Sequence, residues 1–350
     1  MFQELLRTVK DNISTVRSII KTNEKLRNIA FGKSTSSKQK SEEYVEFYRD
    51  LIEDLPNVRE WRVYDRCAAV TRLYAIYERF VEDLVSDWLG MLPGLFPRYC
   101  DLEDKIRTTH QIGVGRLLLD LKKNRYEHLS IEEVVRGLFR GVTDAEEYEL
   151  LPDAFLIHEQ NLRRDILEKL LADAGISNAW NWIDKHKAIK NFIEEIRGSQ
   201  NTAEGELNEL ISYRNDAAHG APVDDFLGSN ALLELCDFVD NLCQALAELA
   251  TYQVIKRKKI IGQAKEIGEI TEWFKKNQAG VIKATEVTTL SVGNNIFLIS
   301  EGSSCCQLAT VISIRINNTP VTNVQTNVGM EIGLKFDMDA KKGLRLYILQ

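Results

Sequence analysis

The sequence predicts a mainly α-helical protein that ends in a small all-β module. Two observations predict it. From Glu42 to Lys259 apolar residues recur at helical spacing, and from about residue 285 to 350 they alternate with period two among Val, Ile and Thr. At 350 residues the chain is long enough for two or three domains. It is 44% hydrophobic and 28% charged, which excludes global disorder. Its net charge of −7 argues against a surface coated along its length by nucleic acid, but leaves room for a local basic pocket.

Residues 1–31 read as a helix, with Leu5, Val9, Ile13, Val16, Ile19 and Ile20 as its apolar stripe. Residues 32–42 (GKSTSSKQKSE) are a polar break. The first 40 residues carry nine basic and three acidic side chains, a net of +6, so the remainder sums to −13. Such a basic arm either contacts phosphates or an acidic partner, or is simply a solvated helix face. Residues 64–89 carry a stripe through Ala69, Leu73, Ile76, Phe80, Leu84 and Trp88. Gly90, Pro93, Gly94 and Pro97 are expected to break it.

Shorter helices are expected over 102–123, 130–139 and 158–174, with Gly175 as a C-cap. Others follow over 182–197 and 204–218, and a long one over 229–259 should pack against the 204–219 helix. The long helix ends in Lys256, Arg257, Lys258 and Lys259, where cations suit the negative end of the dipole. Residues 261–283 read as a connector, and 284–350 as a barrel of five to seven strands. The domain reading is therefore 1–59 (helical, with the basic arm), 60–260 (helical), 261–283 (connector) and 284–350 (β).

None of the six cysteines forms a CxxC pair, and none has a histidine at zinc-ligand spacing. The N-terminus has no apolar h-region and no stretch reaches 18 apolar residues, so a cytoplasmic protein with reduced thiols and no membrane span is expected. His110, His128 and His186 sit in charged contexts and are expected on the surface. His158 opens a polar run (HEQNLRRD) that is either a helix-starting turn or an RNA-facing edge. Trp180 and Trp182 either pack or stack on bases.

The most informative segment is LNELISYRNDAAHGAP, residues 207–222. Leu207, Leu210 and Ile211 set a buried phase. Arg214 and Ala218 fall close to it, at about 340° and 20° from Leu207 for 100° per residue. A guanidinium there needs a carboxylate or a phosphate as partner. His219 lies about 140° from Arg214 on an ideal helix. Gly220 and Pro222 should end the helix at His219, letting the imidazole turn toward the arginine.

Arg214, Asn215 and His219 resemble the RNxxxH form of the Rx4–6H motif of the HEPN superfamily. AAVTRLYAIYERFVEDLVSDWL, upstream, resembles the early helix of the RiboL-PSP and MAE-type HEPN subfamilies, with Glu78 in the acidic position. The resemblance covers about residues 60–258 and implies a HEPN-type helical bundle with metal-independent endoribonuclease activity, needing no cofactor. It implies His219 as acid–base catalyst, Arg214 as stabiliser of the pentavalent phosphorus, Asn215 as an orienting group and Glu78 as a partner positioning Arg214. It also implies motifs paired across a homodimer or higher even oligomer, which the small Ala217 and Ala218 would permit.

Residues from VISIRINNTPVTNVQTNVGMEIGLKF to KKGLRLYIL resemble the second-domain β-barrel of translational GTPases. The chain has no GxxxxGK[ST], so the barrel is read as an RNA- or partner-binding module or as a stabilising one. Two classes of function follow. One is an RNA-cleaving effector of a toxin or antiphage system, acting on tRNA, rRNA or mRNA and held off by a regulatory or antitoxin partner. The other is a catalytically silent HEPN scaffold that binds RNA, nucleotide or protein.

Overall fold

The computed structural model describes residues 1–31, 55–143, 148–157, 160–219 and 227–350. The polar break and His158 lie outside them. Nine α-helices among the described residues lead into a closed β-barrel. α1 (Gln3–Phe31) buries Leu6, Val9, Ile13, Val16 and Ile20, at alternating spacings of three and four. Ile19, placed in the stripe by the sequence, is instead exposed.

α2 (Val58–Leu95) is the central helix. Asn57 caps it by accepting from the Arg59 and Glu60 N–H groups at 3.1 and 3.0 Å. It runs past Gly90 and through Pro93, where the sequence predicted a break. Pro93 forgoes a backbone hydrogen bond and strains the turn, at about 3 kcal/mol. Leu89, Leu92 and Leu95 stay on the buried stripe and gain about 1.5–3 kcal/mol each, so burial wins. α1 and α9 (Ser229–Ile260) pack on α2 and on each other, while α8 (Ala203–Ala218) is seated on α2. The expected α8–α9 pairing is therefore a minor contact, because the apolar face of each helix is taken up by α2.

Between α2 and α8 lie α3 (Asp104–Asp120), α4 (Ile131–Thr143), α5 (Arg164–Asp173) and α6 (Ala179–Lys185). α7 (Lys187–Asn191) then runs into a π-helical turn, Phe192–Ile196. Gly175 closes α5 as expected: its φ is +89°, and the Ile176 N–H reaches back to the Leu171 carbonyl at 2.8 Å. Trp180 and Trp182 are buried packing residues.

His110 and His186 correct the surface expectation, since both are buried. His110 stacks on Phe155, and its Nε2 accepts from the Leu151 N–H at 3.4 Å. Tyr99 Oη gives its proton to the Arg107 carbonyl and lies 3.2 Å from His110 Nδ1, so Nδ1 carries the imidazole proton. Burial lowers the His110 pKa to about 4. The folded value lies below the ordinary 6.5, so the unfolded chain binds the proton first as pH falls. The contribution of this histidine is complete above pH ~6.5 and should fall by about 3 kcal/mol as pH approaches 4. Urea unfolding at neutral and acid pH should show this loss in the wild type and a shallower one in His110→Phe; equal losses in the two would exclude His110 as the cause.

The barrel begins earlier than the sequence reading placed it. Residues 261–283, read as a connector, contain β1 (Ala264–Phe274) and most of β2 (Ala279–Ala284). β4 (Asn295–Ser300), β5 (Cys305–Ile316), β8 (Glu331–Phe336) and β9 (Arg345–Leu349) complete an antiparallel ring in the order β4-β9-β1-β2-β8-β5, closed by β5 on β4. β6 (Thr319–Val321) extends β5 as a hairpin, and β3 (Thr289–Ser291) pairs with β7 (Asn323–Gln325) outside the ring. Ile267, Ile282, Leu298, Val311, Leu334 and Leu346 fill the interior. A Cβ at Gly268, where the β1–β9 register shifts, would meet the Lys283 carbonyl oxygen at 2.2 Å.

Bundle and barrel share a polar seam. Glu248 of α9 is buried and accepts from the Cys306 N–H at 2.9 Å, from Gln307 at 3.2 Å and from Gln244 at 3.0 Å. His186 Nε2 lies 3.5 Å from the same carboxylate.

Candidate nucleic-acid cleft

α8 starts from a rigid anchor. Thr202 caps it, accepting from the Gly205 N–H at 3.0 Å. Glu206, in the first turn and fully buried, receives a fork from Arg197 at 2.6 and 2.9 Å and the Asn201 amide at 2.7 Å. Arg197 also bonds Glu234, and these bonds, the Glu206 one foremost, raise its pKa above the ordinary arginine value. Arg197→Ala would leave the Glu206 carboxylate buried with only an amide partner. We expect a loss of about 3 kcal/mol in chemical denaturation; a change within experimental error would show that Asn201 and local relaxation suffice.

From this anchor α8 turns Leu207, Leu210 and Ile211 into the core. Arg214 and Asn215 follow, half-buried, at its far end. The helix ends as the sequence predicts: His219 is the C-cap, with its N–H on the Asn215 carbonyl at 3.0 Å and its residue exposed. Ala217 packs on the bundle core and Ala218 is exposed.

The Arg214 guanidinium lies over the Tyr74 ring of α2, 5.1 Å from its centroid. Such a contact is worth about 0.5–2 kcal/mol and holds the cation without neutralising it. Arg214 Nη1 donates to Asn215 Oδ1 at 3.1 Å, and Asn161 Nδ2 donates to the same oxygen at 3.1 Å. The Asn215 amide is thereby fixed by two donors on its oxygen. Among the described residues no carboxylate pairs with Arg214. Glu78 instead accepts from Tyr74 Oη at 2.9 Å, so it acts on the ring beneath the arginine. Burial, before any other cause, pushes the Tyr74 hydroxyl well above its ordinary pKa, keeping it a neutral donor to Glu78.

Two tyrosines fix the opposing chain. The Leu162 N–H donates to Tyr74 Oη at 3.1 Å, and Tyr77 Oη donates to the Leu162 carbonyl at 3.0 Å. This clamps the segment before α5 against α2 and sets Asn161 and Arg163 beside α8, where Arg163 bonds Asn208 at 2.5 Å. The result is an open cleft of ≈830 Å³. Arg125, Arg163, Arg214 and His219 line it with Asn161 and Asn215, and Glu78, Glu82 and Asp165 stand at the same cleft.

All four residues singled out in the sequence (Glu78, Arg214, Asn215 and His219) thus line one cleft. Tyr74, Asn161, Arg163 and Arg125 were not anticipated as site residues. The polar run HEQNLRRD signalled two of them, Asn161 and Arg163. Tyr74 could have been found from its place one helical turn before Glu78.

The fold is a helical domain, carrying an arginine-lined cleft, joined to a closed barrel. The sequence model of the RiboL-PSP-HEPN family matches residues 35–252, and the chain belongs to that family. Comparison with curated proteins and with solved structures gave no match. Membership suggests a ribonuclease-type or RNA-related function and RNA binding, since HEPN domains are commonly ribonucleases. Among the described residues no helix is long and apolar enough to cross a membrane.

Proposed function

We propose that the protein is an endoribonuclease that cleaves RNA by 2′-hydroxyl transesterification in the Arg214–His219 cleft. The observation that carries this reading is the convergence of Arg214, Asn215 and His219 with Asn161 and Arg163 on one open cleft. A histidine takes the 2′-hydroxyl proton, and the resulting oxygen attacks the adjacent phosphorus. Arg214, held over the Tyr74 ring, stabilises the extra negative charge on the phosphorane. Asn215, with its oxygen occupied, turns its amide N–H groups to a phosphate oxygen. The 5′-oxygen leaves with a proton from a second acid. One chain supplies one His219, so we propose that two chains pair around the cleft, the partner giving the second imidazole.

Glu78 is a positioning residue in this scheme, acting through Tyr74. A toxin or antiphage role with an inhibitory partner is consistent with such an activity. The deciding experiment is incubation of the full chain with total RNA, followed by mapping of cut ends. Discrete cuts that vanish in Arg214→Ala support the nuclease; RNA retained uncut on the protein supports a silent scaffold.

A further inference from the structure

At the junction of bundle and barrel lies a second cleft, of ≈850 Å³, which among the described residues shares no lining residue with the first. Its size falls in the range of small-ligand sites, about 300–1,000 Å³. One wall is aromatic: Trp182 of α6 stacks on Tyr252 of α9, with centroids 5.2 Å apart and planes at 22°. Lys185, Lys256 and Arg257 line it as cations, against the acids Glu103 and Glu301. Arg257 is held in place, over the Phe96 ring at 4.0 Å and on the Leu95 carbonyl at 3.1 Å. Lys185 and Lys256 are exposed. Asn178, Asn181 and Gln253 add side-chain amides, each both donor and acceptor.

The barrel contributes the turn at 301–304. Among the described residues, two donors of the lining side chains have no partner: Trp182 Nε1 and Ser304 Oγ, on residues 4% and 1% exposed. Buried donors are seldom left unpaired, and each calls for an explanation, of which a bound polar group is one. An aromatic wall, amides and lysines together form the chemistry that takes a base and its phosphate at once.

We infer that the junction cleft binds a nucleoside 5′-phosphate unit, either a free nucleotide or one residue of an RNA strand. The base lies against Tyr252, the partly exposed ring of the stacked pair, the amides of Asn178, Asn181 and Gln253 meet its edge, and Lys185 and Lys256 hold the phosphate. Such a ligand touches α9 and the barrel turn together. The inference stands independently of the cleavage reading.

The test is isothermal titration of the full chain carrying Arg214→Ala and His219→Ala, which disables the first cleft. The probes are AMP, CMP, GMP and UMP, and short 5′-phosphorylated oligoribonucleotides of the same bases. Saturable one-to-one binding is expected, weakened ~10-fold by Lys185→Glu and ~10-fold by Lys256→Glu. Both lysines are exposed, so melting temperatures should not move. Binding of a mononucleotide identifies a free nucleotide as the source; binding of the oligomers alone identifies an RNA strand. No binding of either probe, or binding that survives both charge reversals, overturns the inference.

Discussion

Arg214→Ala and His219→Ala should each lower the single-turnover rate of RNA cleavage by ~10²-fold or more, the loss typical of charge-stabilising and acid–base groups. Neither change should cost the fold. His219 is exposed at a helix end, and Arg214 is half-buried over a tyrosine ring instead of serving a buried carboxylate. Asn215→Ala should cost less, because Asn161 remains to bond a phosphate oxygen. Glu78→Gln keeps an acceptor for Tyr74 Oη, so its effect should be a few-fold and confined to the rate. Full activity in both Arg214→Ala and His219→Ala, with unchanged melting, would remove the cleft from catalysis. Gel-resolved cleavage and thermal melting on the same preparations separate a chemical loss from an unfolded protein.

A substrate with 2′-deoxyribose at the cleavage position should be inert, because the nucleophile of the proposed reaction is then missing. Matched oligonucleotides that differ by that one oxygen measure the effect directly. The RNA products should carry 2′,3′-cyclic phosphate and 5′-hydroxyl ends, and cleavage should persist in EDTA. The EDTA arm matters because Glu78, Glu82 and Asp165 stand at the same cleft as the arginines. Cutting of the deoxy substrate, or strict dependence on added magnesium, would replace transesterification with metal-assisted hydrolysis.

Much of the cleft was legible in the sequence because it is local. Arg214, Asn215 and His219 sit within one helical turn and its cap, and the following Gly220 and Pro222 mark where that helix stops. Glu78 was found through its resemblance to a known helix. The sequence placed it beside Arg214 directly, whereas the structure puts the Tyr74 ring between them. Asn161, Arg163 and Arg125 belong to segments far apart in sequence, and no periodicity signals a residue that points into a shared cleft. The two misplaced histidines have the same origin. His110 and His186 lie among charges in sequence, yet burial depends on which neighbouring element covers them.

The sequence by itself determined the order of helices, the all-β end of the chain, the helix stop at His219 and the Arg–Asn–His motif. Each of these follows from propensity, period or capping within a few residues. Only the tertiary structure decided the rest. Burial of Leu92 and Leu95 carried α2 through Pro93, against the local breaker signal. Ring closure drew the segment after residue 263 into the barrel, because β1 and β2 are the strands that bridge β9 to β8. Two tyrosines on Leu162 brought a distant polar segment to the arginine. Long-range pairing and burial outweigh local preference because each contributes several kilocalories, whereas propensity contributes only tenths per residue.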